Sequence, residues 1–222
     1  PTMLVNYVNL KHFITDEFGD EILNLKKSEK TIAENLRLEK GLIHEKDYFN
    51  ELSKKYKKNK NIKKLKDLSK EEKIKETIQA LKNGYELVYG GWLASGNWRG
   101  ELDFLEINKT VKSNFGDWSY EIIDTKNTSK VKKDHIYQIS LYSFLLKEAQ
   151  GILPKNFYIL LKDKKKETIR IGEVYDIFLE QKLSFENFVK NDLNRKKLEK
   201  VSYCSFRDLQ EFCEKEWINQ SI

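Results

Sequence analysis

The stretch 85–107 limits the fold more than any other. Aromatic and branched residues fill 85–93 and again 98–107, and Ala94-Ser95-Gly96-Asn97 stands between them. Two β-prone runs around a short glycine-containing turn predict a hairpin. A third strand is expected over 118–124, after the turn-forming Ser113-Asn114-Phe115-Gly116-Asp117. A helix over 132–149, closed by Gly151 and Pro154, follows, and the chain returns to strand at 157–161 and 168–171. Strands interrupted by helices predict an α/β sandwich with a mixed sheet.

Helical patterns flank this core. Residues 3–16 read as a short helix followed by a turn. Within 28–56, Ile32, Leu36, Ile43, Phe49 and Leu52 fall near i+3/i+4 steps and predict an apolar face. Gly41 interrupts that pattern at a cost of about 1 kcal/mol relative to Ala, which implies a close approach or a break. Ser69, followed by Glu71 and Glu72, is an N-cap opening a helix to about Lys82, with Asn83-Gly84 closing it. A long amphipathic helix is expected over 173–198. The organisation is then a helical region over 1–84, a core over 85–200 and a tail over 201–222.

With 222 residues the chain can bury one core, and no apolar run approaches the length of a membrane span. No signal-peptide pattern opens it, so a cytoplasmic location without a membrane partner is expected. Net charge is +6, but residues 54–75 hold eleven Lys against Asp67, Glu71 and Glu72, an excess of +8 that leaves −2 for the rest. Such a concentration suits phosphate backbones. It is equally what a solvated helix would carry in a chain so rich in Lys.

Two acidic residues stand out on the strands. Asp103 is flanked by Leu102 and Phe104, which point to the other face. Asp124 and Lys126 are two apart, so both leave the next strand on one face, and pairing of the strands would let the carboxylates converge. Mg²⁺ accepts one or two carboxylates, keeps several waters and binds phosphate oxygens. A neighbouring Lys can stabilise charge on phosphate or help deprotonate water. On the following helix Gln138 and Tyr142 are spaced i,i+4 and share a face.

Gly100-Glu101-Leu102-Asp103, then Asp124-Thr125-Lys126, then Gln138-Ile139-Ser140-Leu141-Tyr142 resembles the RecB-type branch of the PD-(D/E)xK nucleases, with its G-x-x-D, D-x-K and Q-x-x-x-Y motifs in order. The resemblance implies a restriction-endonuclease-like core and a Mg²⁺- or Mn²⁺-dependent deoxyribonuclease. The expected activity is exonuclease-like, on single-stranded ends or flaps in DNA repair, with DNA preferred over RNA. By the same resemblance Asp103, Asp124 and the Thr125 carbonyl bind the metal, Lys126 assists the water, and Gln138 and Tyr142 support the site or touch the substrate. Tyr142 could equally be a core aromatic.

Relatives of this kind also carry an upstream helix with G-x-x-H, matched by Gly41-Leu42-Ile43-His44. This makes His44 a third metal ligand, where a lone His beside Glu45 would otherwise read as a surface residue; Glu45 and Glu34 are the fallback donors. Several relatives hold an iron–sulfur cluster on four Cys, but only Cys204 and Cys213 occur here, so no cluster is expected. The sequence has no P-loop, so unwinding would come from a partner, a helicase or a further nuclease domain. Tyr89, Trp92 and Trp98 could stack on unpaired bases or pack the core. The alternative reading is an inactive nucleic-acid-binding module that recruits such a partner.

Overall fold

The expected hairpin forms around Gly96-Asn97, where a φ of 55° at Gly96 lets Ser95 pair directly with Trp98. The turn is thus shorter than expected, and Ala94 and Ser95 continue the strand. The computed structural model describes residues 31–56, 61–66, 68–191, 214–215 and 218–219. The expected helix at 3–16, and Cys204 and Cys213, lie outside these residues. In chain order the elements are α1 (Ile32–Tyr56), β1 (Ile62–Lys64), α2 (Lys70–Lys82), β2 (Leu87–Ser95), β3 (Trp98–Asn108), β4 (Ser119–Thr125), α3 (Lys133–Gln150), β5 (Asn156–Leu160), β6 (Lys166–Arg170) and α4 (Tyr175–Asn191).

The six strands form one mixed sheet whose spatial order follows the sequence. β1 runs parallel to β2 across α2, and β4 runs parallel to β5 across α3, while the other neighbours are antiparallel. Each parallel pair needs a crossover, and a helix supplies it in both cases. α2 opens on the expected cap: the Ser69 hydroxyl accepts from Glu72 N–H, and Glu72 accepts from Ser69 N–H. α3 ends at Gly151, at a φ of 76°.

Helices cover both faces. On one, Leu52 of α1 packs with Leu87, Tyr89, Phe104 and Ile123, and Tyr48, Phe49 and Tyr56 join them. Phe49 and Tyr89 stack at 4.3 Å, and Tyr89 and Phe104 at 5.0 Å. On the other face, fully buried Tyr120 donates through its hydroxyl to the Tyr85 carbonyl and through its amide to Gln150 of α3. Burial of each large side chain contributes roughly 1.5–3 kcal/mol, and the buried hydroxyl is satisfied as such a group must be.

Three expectations change. Gly41 neither breaks α1 nor makes a close contact, since a Cβ there would meet nothing within 4 Å. Of the apolar face expected on α1, Phe49 and Leu52 pack on the sheet, whereas Leu36 and Ile43 are exposed. The Lys-rich run hides the edge strand β1, and several of its lysines are engaged by glutamates: Lys55 lies 2.9 Å from Glu106 and Lys63 2.7 Å from Glu76. Tyr89 belongs to the core, at 7% exposure.

Residues 33–178 form one compact unit, which includes the sheet and the first turn of α4, where Tyr175 and Phe178 pack together. From Leu179 onward α4 belongs to a second unit, and there Lys182 pairs with Glu186 one turn on, at 2.7 Å. Among the described residues no helix is long and apolar enough to cross a membrane.

Candidate active site

Strand pairing decides where the two aspartates lie. β3 and β4 are registered as Leu105 opposite Ile122 and Phe104 opposite Ile123; the next residues past this last pair are Asp103 and Asp124, near enough for the charge of one to act on the other. Asp103 is held in place by Thr125, whose amide and hydroxyl both donate to Oδ2 at 2.8 Å. Thr125 thus enters the site as a clamp on Asp103. Asp124 is 2% exposed, and its carboxyl is pushed up to about 7, first by burial and then by the charge of Asp103, with Glu45 adding to the effect.

Lys126 opposes that shift, its ammonium 2.6 Å from Asp124 Oδ2. The contact is close in distance but lies off the hydrogen-bonding direction, so Oδ2 is a buried oxygen without a directed hydrogen bond. On α3, Gln138 Nε2 donates to the Tyr142 hydroxyl at 2.7 Å. Tyr142 is buried, and its ionisation is suppressed first by burial and then by Asp124, Asp103 and Glu101. The ring is enclosed like a core aromatic, while the hydroxyl is near enough for the charges of Asp124, Asp103 and Glu101 to act on it.

Three further groups approach from positions to which sequence reading gave no role. Lys66, just after β1, lies 2.9 Å from Glu45 Oε1 and 3.6 Å from Glu101 Oε1. Glu101, two residues before Asp103, also meets Lys73 of α2 at 3.3 Å. His135, in the first turn of α3, accepts the Lys132 N–H at Nδ1 and is pushed down to about 4 by burial, with Lys126 and Lys132 acting in the same direction. It is a neutral imidazole held beside the Lys126 ammonium.

Helix α1 brings Glu45 within the field of Asp103. Glu45 is buried; burial and then the charge of Asp103 raise its carboxyl above the usual range, and Lys66 and the Tyr89 hydroxyl counter the rise. His44, about 100° further round the helix, has Nε2 3.4 Å from the Leu160 carbonyl. It lines an open groove of about 280 Å³ together with Lys40, Asp47, Glu51, Asn127, Lys162 and Lys164. Glu34 lies in the first turn of α1, roughly 16 Å along the axis from Glu45 at 1.5 Å per residue. Glu45 had a signal in the sequence: it stands three, four and seven residues before Tyr48, Phe49 and Leu52, on the stripe that packs. An acidic residue on an apolar stripe marks a buried charge.

Among the described residues no three His, Cys, Asp or Glu side chains stand close enough together to hold a metal ion. The pair Asp103 and Asp124 nonetheless suits a hard cation, because such an ion needs only one or two carboxylates and completes its shell with water. The buried Oδ2 of Asp124, close to a cation but without a directed hydrogen bond, fits that role. Set against protein-family models and against curated proteins, the chain matches none.

Proposed function

We propose that this chain is a divalent-metal-dependent nuclease with a restriction-endonuclease-like core of the RecB type, hydrolysing phosphodiester bonds in DNA at single-stranded ends or flaps. The observation that carries the reading is the proximity of Asp103 and Asp124 where β3 and β4 end their pairing, with Lys126 against the buried carboxylate. Asp103 and Asp124 would hold Mg²⁺ or Mn²⁺. When bound, such an ion lowers the pKa of a coordinated water and draws charge from the phosphate.

The chain's own groups do the rest. Thr125 fixes the Asp103 carboxylate through Oδ2. Lys126 supplies a positive charge where a phosphate would gain negative charge, and a fixed charge in a half-dry site acts strongly. The Gln138–Tyr142 pair presents a hydroxyl that stays protonated. The groove carrying Lys40, Lys162 and Lys164 adjoins Asn127, the residue after Lys126, and is a path along which a phosphate backbone could run.

Purified protein with Mn²⁺ and a labelled single-stranded oligonucleotide tests this reading. Cleavage should vanish in Asp124→Ala and in Lys126→Ala while the far-UV circular dichroism stays that of the parent. If both variants cut like the parent, the assignment fails.

A second reading is a nucleic-acid-binding module without catalysis. The three-donor set missing among the described residues, and the lysines already set against the carboxylates, favour it. It predicts salt-sensitive binding of oligonucleotides with no cleavage under any divalent ion.

A further inference from the structure

Lys66 is the cation of the site that the proposed chemistry leaves unused. Its ammonium touches Glu45 and Glu101 and sits 5.5 Å from the centre of the Tyr89 ring. Asp103 is near enough for its charge to favour the ammonium, and with Glu45 and Glu101 it outweighs the opposing effect of burial.

The sheet is shaped to admit this side chain. In β2, Gly90 stands between Tyr89, paired with Phe104, and Gly91, paired with Leu102, and so lies opposite Asp103. Its φ is 71°, a conformation that L-residues rarely adopt, and a Cβ there would fall 2.7 Å from Lys66 Cγ. A lysine among carboxylates and a glycine that clears its stem are two separate features of the sequence, and they meet at one point.

Charge sets the consequence. Glu45, Glu101, Asp103 and Asp124 face Lys66, Lys73 and Lys126, which leaves one negative charge when all are ionised. One divalent ion would turn this into one positive charge, and a phosphodiester would cancel it. A second divalent ion would leave two positive charges uncompensated in a largely buried place, which is costly.

Resting on the metal-dependent reading above, we propose that Lys66 is the built-in cation of this site: it occupies the Glu45–Glu101 half of the carboxylate cluster and restricts the cluster to a single divalent ion at the Asp103–Asp124 half.

Mn²⁺ titration of the full chain, followed by electron paramagnetic resonance of the free ion, measures the stoichiometry. The parent should saturate at about one ion per chain and Lys66→Arg likewise, whereas Lys66→Met, which keeps most of the stem without the charge, should take about two. Reductive methylation of the parent, read by mass spectrometry, needs no variant. Lys66 should stay unmodified with EDTA and with saturating Mn²⁺ alike, while Lys112, 84% exposed, reacts in both.

Two ions on the parent, or one on Lys66→Met, overturns the assignment and leaves the metal reading standing. Reactivity of Lys66 that appears only with Mn²⁺ means that the ion has displaced it, which overturns the assignment too. No Mn²⁺ bound by parent or variants overturns both.

Discussion

His44 and Glu45 are neighbours in the chain, yet α1 delivers them to unlike surroundings. Glu45 continues the stripe of Tyr48, Phe49 and Leu52 toward the carboxylates; it and Asp124 are buried, each against an ammonium. His44 continues the stripe of Lys40, Asp47 and Glu51 along an open groove beneath the Lys162–Lys164 turn. Charges in the first region are dry and coupled, so small displacements change their protonation and their grip on a cation. Those in the second are wet and screened, and suit attraction of a polyanion more than chemistry. One helical step of about 100° separates the buried carboxylate from the lysine-lined groove.

The hardest blow to this contrast would come from Asp124→Asn. Loss of one of the two proposed metal carboxylates should lower cleavage on the order of 10³-fold or more. Glu45→Gln should cost less, roughly 10- to 100-fold, because that carboxylate supports the site through Lys66 and the shared field of Asp103. His44→Ala should cost no more than about tenfold, mostly in KM, since the groove carries recognition. Steady-state cleavage by the three purified variants ranks them. If His44→Ala falls as far as Asp124→Asn, the histidine acts as the metal ligand that the G-x-x-H resemblance implies, and the division along α1 collapses.

Part of the first region was legible in the sequence, and the reason is local. The i,i+4 spacing was enough to bring Gln138 to Tyr142, whereas the approach of Asp103 to Asp124 depends on how β3 pairs with β4 across the 109–118 connection, which the sequence leaves conditional. The phase of α1 was not legible, because Leu36 and Ile43 imitate a core stripe while the true stripe begins at a charged residue. β1 was hidden as well: three residues with two lysines carry almost no strand signal, and the pairing with β2 that creates the strand is tertiary. Lys66 looked like one more solvated lysine because its partners lie on α1 and β3.

Protonation offers a subtler contrast. Burial and Asp103 hold the Asp124 carboxyl near 7, above the usual 3.8, so the folded chain binds that proton more tightly than the unfolded one. The stability it contributes is complete below about pH 4 and is lost as pH rises to 7. His135 acts oppositely: its pKa falls from 6.5 to about 4, so its contribution is present above 6.5 and is lost as pH falls toward 4. The two slopes offset each other in the parent. Metal-free Asp124→Asn loses the slope of Asp124 that opposes the histidine's, and urea midpoints should climb more steeply between pH 4 and 6.5 than in the parent. For the same reason Mn²⁺ affinity of the parent should weaken below pH 7, by at most about tenfold per pH unit, because the ion must displace one proton. A pH-independent affinity would show that Asp124 is already ionised, or that it is not a ligand.

On the groove side effects are smaller. Replacing Lys162 and Lys164 together by Ala should weaken single-stranded DNA binding and reduce the slope of log affinity against log salt by about 0.7–1.4, the share of one or two phosphate contacts, with kcat unchanged. Fluorescence anisotropy at a series of salt concentrations measures this. A fall in kcat with an unchanged salt slope would move these lysines from recognition to reaction.

Lys164 gives the finest test of the two regions, because its backbone and its charge pull in different directions. It is the one non-glycine residue at positive φ among the described residues, at 64°, in the turn between β5 and β6, and its ammonium lies 3.6 Å from Glu51 of α1. An L-residue held there costs about 1 kcal/mol or more, which glycine avoids. Lys164→Gly should therefore fold more stably than Lys164→Ala by up to about 1 kcal/mol, although both lose the same ammonium and should bind DNA equally weakly. Such a result would mean that the turn tolerates strain to keep a positive charge over the groove, as functional loops often do. Equal stability of the two variants would remove the strain from the account and leave Lys164 an ordinary surface cation.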